Sequence, residues 1–271
     1  MRSSVVASGV LLALSSGCFA VADLDRFRIE DPCRGGRTDV ARDLELQLIG
    51  LAEHADERVE IRVVDDNRAV VGRIVLDGLR YDAMLEQASY LVRRIVPPGP
   101  AYELRLYVDL DASESFESRE PGWNVTEPCP SGRVRFERPP STADIHDPPT
   151  TDIGQDFRFR GRSFEPHVGN NQPFVLAVTD VMAGRTVGFY ATPRLARPNF
   201  DVRIPRIVVP SKPYDVDFYV DVDGDGAYDR HPTDHTWRIG GAAARTDGLV
   251  VDFEHNTAFQ DVCDTFSRDC G

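Results

Sequence analysis

The amino-acid sequence predicts an all-β protein built from two tandem β-sandwich domains that are copies of each other. Two observations lead to this prediction. Residues 44–138 and 157–255 match each other segment by segment, in one order. Within each copy, the matching segments alternate apolar and polar residues, which is typical of a strand with one buried face. A chain of 271 residues is long enough for two domains of this size.

The first element, residues 1–22, reads as an export signal. Arg2 precedes an apolar stretch at residues 5–14 that is too short to span a bilayer. Cys18 follows Ser-Ser-Gly and resembles the lipid-modified cysteine of a bacterial lipobox. The alternative is an A-x-A cleavage site at residues 20–22, which would release the chain without a lipid.

The two cleavage sites predict different locations. Lipidation at Cys18 predicts a membrane partner through an N-terminal lipid anchor. With Phe19 as the next residue, the lipoprotein resemblance implies the outer membrane or cell surface. Cleavage at residues 20–22 predicts a periplasmic or secreted protein.

The first copy is predicted at residues 23–138, and its segments recur in the second copy. Seven or so strands in a segment of this length are the signature of an immunoglobulin- or fibronectin-III-like sandwich. Residues 81–94 can form a helical turn before their strand, whereas the matching segment cannot. The matching pairs are LELQLIGL (44–51) with FRFRGRSF (157–164), VEIRVVDD (59–66) with FVLAVTDV (174–181), VVGR (70–73) with TVGF (186–189), RRIVPPGPAYELRLYVDLD (93–111) with PRIVVPSKPYDVDFYVDVD (205–223), Trp123 with Trp237, and VRFER (134–138) with VDFEH (251–255).

Residues 139–156, rich in Pro, Thr and Asp, are predicted to be an extended linker. The second copy then occupies residues 157–271, with an acidic loop at 221–229 and a C-terminal tail that carries two cysteines.

Four cysteines remain after the export signal, an even number that suits an oxidising compartment. Four cysteines allow three pairings. We favour Cys33 with Cys129 and Cys263 with Cys270, because each bond then stays inside one predicted domain.

The acidic loop is the most specific chemical feature. Its pattern resembles the DxDxDG loops of EF-hands and dockerins, and calcium takes six to eight oxygen ligands. The resemblance implies calcium as the cofactor. The implied ligands are the carboxylates of Asp221, Asp223, Asp225 and Asp229 and the backbone carbonyl of Ala227. Pro232 stands at the twelfth position, where a bidentate Glu is usual, so we expect weak affinity; Asp234 could substitute if the loop bends.

The histidines are the next candidates. His167, His231, His235 and His255 all fall in the second copy, where they could surround a transition metal. His54 and His167 occupy the same place in the two copies. A position that recurs in this way favours packing, and we therefore expect the histidines to be structural.

Charge and missing motifs restrict the function. The net charge of −13 argues against nucleic acid as a partner. Lys212 is the only lysine, and the common catalytic motifs are absent from the sequence. We therefore expect a non-catalytic binding or adhesion module that contacts envelope or surface macromolecules. The alternatives are a structural or accessory envelope protein without an ion, and a carboxylate-dependent hydrolase.

The second copy's segments PHVG, VGFY, YVDVDGDGAYD and DHTW resemble tandem β-sandwich domains of bacterial secreted lipoproteins. The resemblance covers residues 157–255 and, more loosely, the first copy. It implies the fold and export, and it implies no activity.

Overall fold

The structure is a computed structural model, and it describes residues 40–99, 102–111, 113, 120–127, 133–138, 151–152 and 154–269. The export signal with Cys18, most of the predicted linker, and Cys33, Cys129 and Cys270 lie outside the described residues.

The described residues form a mostly β protein. Two single helical turns, α1 (Glu165–Val168) and α2 (Cys263–Phe266), and a 3-10 turn at Ala52–His54 interrupt the strands. Among these residues, no helix has the length and apolar character needed to cross a membrane. The strands are β1 (Arg42–Ile49), β2 (Arg58–Val64), β3 (Ala69–Asp77), β4 (Tyr81–Asp82), β5 (Gln87–Val96), β6 (Tyr102–Asp109), β7 (Gly122–Glu127), β8 (Arg133–Glu137), β9 (Thr151–Asp152), β10 (Gln155–Arg162), β11 (Phe174–Asp180), β12 (Arg185–Thr192), β13 (Phe200–Val208), β14 (Pro213–Val220), β15 (His235–Ala243) and β16 (Leu249–Glu254).

The strands form three sheets. A four-stranded sheet has the order β4-β5-β1-β8, and a three-stranded sheet has the order β13-β10-β16. The nine-stranded sheet runs β15-β14-β11-β12-β3-β2-β6-β7, with β9 paired to β3. The order β5-β1-β8 has the same connectivity as β13-β10-β16, and β3-β2-β6-β7 the same as β12-β11-β14-β15.

Irregular backbone positions recur at matching places. Arg94 in β5 and Arg206 in β13 both have a φ of +53°, in the left-handed region that non-glycine residues rarely adopt. The backbone N–H of Arg94 donates to the Asp43 carboxylate, and that of Arg206 donates to Asp156. We call β1–β8 the first half and β10–β16 the second half. In each half this irregularity is a β-bulge, at the point where β5 pairs with β1 or β13 pairs with β10.

The pairing of β3 with β12 joins the two halves. These strands run parallel, so that one sheet continues from one half into the other. Ile74 and Leu76 on β3 pack into one hydrophobic core, whereas Val75, between them, packs into a second. Because successive side chains of a strand point to opposite faces, the two smaller sheets cover opposite faces of the nine-stranded sheet.

Three local features differ from expectation. Residues 81–94 form β4, a turn and β5 instead of a helical turn. The end of the predicted linker is structured, because β9 pairs with β3 and β10 already begins at Gln155. The C-terminal segment also crosses to the first half, where Val262 and Phe266 join the core of β1, β2 and β5.

Candidate functional site

The acidic loop follows β14 and brings three carboxylates together. Carboxylate oxygens of Asp221, Asp223 and Asp225 lie within 4.8 Å of one another. Asp221 is buried, while Asp223 and Asp225 are exposed. Gly224 and Gly226 have φ values of +75° and +85°, so glycine allows the sharp turn that folds the loop around Asp221. This grouping could hold a cation.

Asp221 already has positively polarised partners. Its Oδ1 accepts a hydrogen bond from the Gly224 N–H at 2.7 Å, and its Oδ2 accepts one from the Gly226 N–H at 2.9 Å. The Arg80 Nη1 also donates to Oδ2, at 3.1 Å. Burial raises the pKa of Asp221 above its usual value, outweighing the opposite effect of these donors.

Arg80 comes from the first half, and its guanidinium lies against the acidic loop, where a bound cation would lie. Its other terminal nitrogen donates to the carbonyl oxygen of Gly224. The guanidinium therefore touches a carboxylate and a carbonyl of the kinds that calcium would use. A metal ion bound here would compete with Arg80.

The other predicted ligands have different surroundings. The backbone N–H of Ala227 donates to Asp225 at 2.7 Å, so Ala227 helps to close the turn. Among the described residues, the carboxylate of Asp229 does not join the group of three. Asp234 is fully buried, and its two oxygens accept the N–H groups of Val222 and Asp229. Asp234 therefore stabilises the loop through hydrogen bonds to its backbone.

Asp234 also has an altered pKa. Burial raises it to about 6, although the two backbone hydrogen bonds favour the charged form. The nearby carboxylates of Asp221 and Asp223 contribute to this increase. The loop is thus a place where negative charge is concentrated.

A second acidic group lies at the matching position in the first half. Asp109 and Asp111 meet Glu120, which precedes β7. From the sequence this loop looks degraded, because Ser113 stands where the second copy has Asp225. Glu120 supplies the third carboxylate from across the loop, a contact that local spacing does not reveal. Glu120 also accepts the Leu110 N–H at 3.0 Å.

A cleft of about 340 Å³ lies where the two halves meet, beside the acidic loop. Tyr90 from β5, Phe189 from β12, Tyr228 from the acidic loop and Phe266 from α2 supply aromatic surface. Arg80, Asp221 and Arg268 add charge to the same lining. A mostly apolar cleft with a few charged groups is the usual form of a ligand site.

Only one of the four predicted disulfide cysteines is described. Cys263 begins α2, is buried, and is disulfide-bonded. Its partner lies outside the described residues, so both predicted pairings stay predictions.

Comparison with known proteins adds no assignment to this geometry. No family model matches the chain, and no curated protein matches it significantly.

Proposed function

We propose that the chain is an exported, non-catalytic binding module of the cell envelope, whose ligand binds in the cleft between its halves. The observation that carries the proposal is the composition of the cleft, which takes strand and loop residues from both halves and borders the acidic loop. The predicted export signal supports a ligand outside the cytoplasm.

The frame of this module is a pair of related immunoglobulin- or fibronectin-III-like β-sandwiches. The matching strand connectivity of the two halves supports this assignment, as do the left-handed backbones of Arg94 and Arg206. Each half also has its own hydrophobic core, in which Trp123 or Trp237 is buried. Duplication of one domain accounts for these similarities together.

Attachment to a membrane through a lipid on Cys18 remains part of the proposal. An anchored protein would meet polymers of the envelope or partners at the cell surface. The charge of −13 supports a partner that is not nucleic acid.

The lining of the cleft indicates the kind of ligand. Aromatic side chains such as Tyr90 and Phe189 offer flat apolar contacts, and Arg80 and Asp221 offer oriented polar ones. A sugar or a short peptide presents both kinds of surface. A calcium ion at Asp221, Asp223 and Asp225 would displace Arg80 and so change one wall of the cleft.

A blocked cleft tests the proposal. Ser89 lies on β5, is exposed, and lines the cleft, so Ser89→Trp should fill its entrance. Val250 on β16 is 48% exposed and does not line the cleft, which makes Val250→Trp the matched control. Each immobilised protein is exposed to envelope fractions of the native host, with calcium or with a calcium chelator.

The proposal predicts that a defined envelope component is retained by the unmodified chain and by Val250→Trp, and is lost from Ser89→Trp. Equal retention by both tryptophan variants, or no retained component, would contradict it. A change with calcium would show that the acidic loop contributes to binding.

A further inference from the structure

Three histidines from different elements converge at one point of the second half. His167 lies in α1, His235 begins β15, and His255 follows β16. His167 Nε2 lies 3.1 Å from His255 Nε2 and 3.4 Å from His235 Nδ1. One ring nitrogen from each residue falls within 4.8 Å of the other two. Elements far apart in sequence thus direct imidazole nitrogens at one point.

The protonation of His167 follows from its hydrogen bonds. Gln172 Nε2 donates to the carbonyl of Val222 at 2.9 Å, which fixes the orientation of the Gln172 amide. Gln172 Oε1 therefore faces His167 Nδ1, at 2.7 Å, and can only accept. Nδ1 must carry the proton, and Nε2 of the neutral ring presents a lone pair to His235 and His255.

This arrangement is typical of a metal ligand and its supporting shell. A metal-bound histidine usually donates its other ring N–H to a carbonyl or carboxylate, which sets the tautomer and the ring orientation. Gln172 does this for His167. Burial also lowers the pKa of all three rings, to about 4 for His235, which favours the neutral form of each ring.

The nitrogen separations fit a metal centre. Metal–nitrogen bonds of about 2.0–2.1 Å in a tetrahedral site place two ligand nitrogens roughly 3.3 Å apart. The observed separations of 3.1 and 3.4 Å lie on either side of that value. A single lone pair on His167 Nε2 cannot serve two neighbours through hydrogen bonds, whereas one metal ion accepts all three lone pairs.

We propose that His167, His235 and His255 form a binding site for a divalent first-row transition metal, with Zn²⁺ as the natural ligand. Three imidazoles leave a fourth position for water or for a donor group of a partner. Imidazole ligands suit zinc and copper better than calcium, which prefers oxygen. The site is therefore chemically distinct from the acidic loop.

In the first half, different residues occupy the positions that correspond to His167 and His255. His54 takes the place of His167, and its Nδ1 lies 2.6 Å from Glu57 Oε2. Arg138 takes the place of His255: its N–H donates to the carbonyl of Ile49, as that of His255 donates to Arg162. Both side chains lie against the corresponding tryptophan. The first half thus packs His54 without a second histidine at the position of Arg138. Packing alone therefore does not require the group of three histidines in the second half.

The test uses the full chain purified without a polyhistidine tag and stripped with a chelator. Cobalt(II) reports tetrahedral imidazole coordination through its visible absorption, and zinc affinity follows from competition with a chromophoric chelator. We expect one equivalent of cobalt per chain, displaced by zinc. His255→Arg, which copies the arrangement at Arg138, should weaken zinc binding by at least about 100-fold.

His54→Gln and His231→Gln are the matched controls, because neither residue belongs to the group of three. Both should bind like the unmodified chain, and so should Asp223→Ala in the acidic loop. His235→Gln provides a second variant with a lost ligand, should His255→Arg fail to fold. No bound cobalt, or undiminished zinc binding in His255→Arg or His235→Gln, would overturn the proposal.

Discussion

Single side chains decide what the acidic loop can bind. Asp221 is held by two backbone N–H groups and by Arg80, so the buried carboxylate is already compensated. Asp223 and Asp225 are exposed, and each accepts a backbone N–H within the loop. Calcium has to replace one charged partner and reorient two solvated carboxylates, which favours an affinity on the order of 10⁻⁴–10⁻³ M.

Removal of Arg80 should strengthen calcium binding. In Arg80→Gln the guanidinium no longer competes for Asp221, so millimolar calcium should raise the melting temperature more than in the unmodified chain. Asp223→Ala should abolish the rise. Asp247 is an exposed carboxylate outside the loop, so Asp247→Asn is the control and should leave the rise in melting temperature unchanged. No response to calcium in the unmodified chain and in Arg80→Gln would identify the loop as an acidic turn.

The sequence predicted part of this site. The DxDxDG spacing predicts that Asp221, Asp223 and Asp225 lie close together, and they do, because their contacts are local. Arg80 lies 141 positions from Asp221 along the chain, and only the pairing of the two halves brings it near. The sequence does not reveal the histidine group, because His167, His235 and His255 belong to elements that are far apart along the chain.

Strand β3 is the element on which the junction depends. Its Arg73 is only 3% exposed and pairs with Glu60 of β2 and with Asp152 of β9. Burial would raise the pKa of Glu60, but the guanidiniums of Arg73 and Arg62 outweigh it and hold that pKa below the usual range. A charge on the buried Glu60 therefore stabilises the fold.

Glu60→Gln should destabilise the protein by about 3 kcal/mol at pH 7. This value is at the lower end of the range for a broken buried ion pair, because Arg73 still forms its ion pair with Asp152. The pKa of Glu60 is lower in the folded state, so its contribution is complete above the unfolded value near 4.5 and is lost as pH falls below it. Denaturant unfolding across this pH range measures the difference, which should shrink in acid.

Glu137→Gln is the control, because Glu137 and Arg135 form an exposed pair 3.8 Å apart. Exposed pairs contribute about 0–1 kcal/mol, so this variant should unfold almost like the unmodified chain. A loss at Glu60 no larger than at Glu137 would show that the buried pair does not support β3.

At the level of elements, alternation predicted the strands but not their partners. Residues 81–94 have enough helix-forming residues to suggest a turn of helix, yet Tyr81 and Asp82 pair with β5 and impose a hairpin. Strands β3 and β12 are apolar on both faces, as AVVGRIVLD and RTVGFYAT show. Such runs indicate strands covered on both sides, but they do not identify the neighbouring strand.

The whole molecule is more integrated than two domains on a linker. Parallel pairing of β3 with β12 continues one sheet through both halves. Phe189 and Tyr219 from the second half belong to the core of the first. Arg268, near the C-terminus, pairs with Asp43 and Glu45 of β1. The sequence repeat predicted two similar halves, but no pattern within either half encodes the contacts between them.

The shared sheet and shared core make both halves one structural unit, and we propose that the cleft at their junction binds the ligand. Scanning calorimetry of the full chain distinguishes one unit from two independent domains. We expect one transition whose calorimetric and van't Hoff enthalpies agree, and Val216→Ala in the second core should lower its midpoint without splitting it. Two separate transitions, with only one shifted by Val216→Ala, would show that the halves unfold independently.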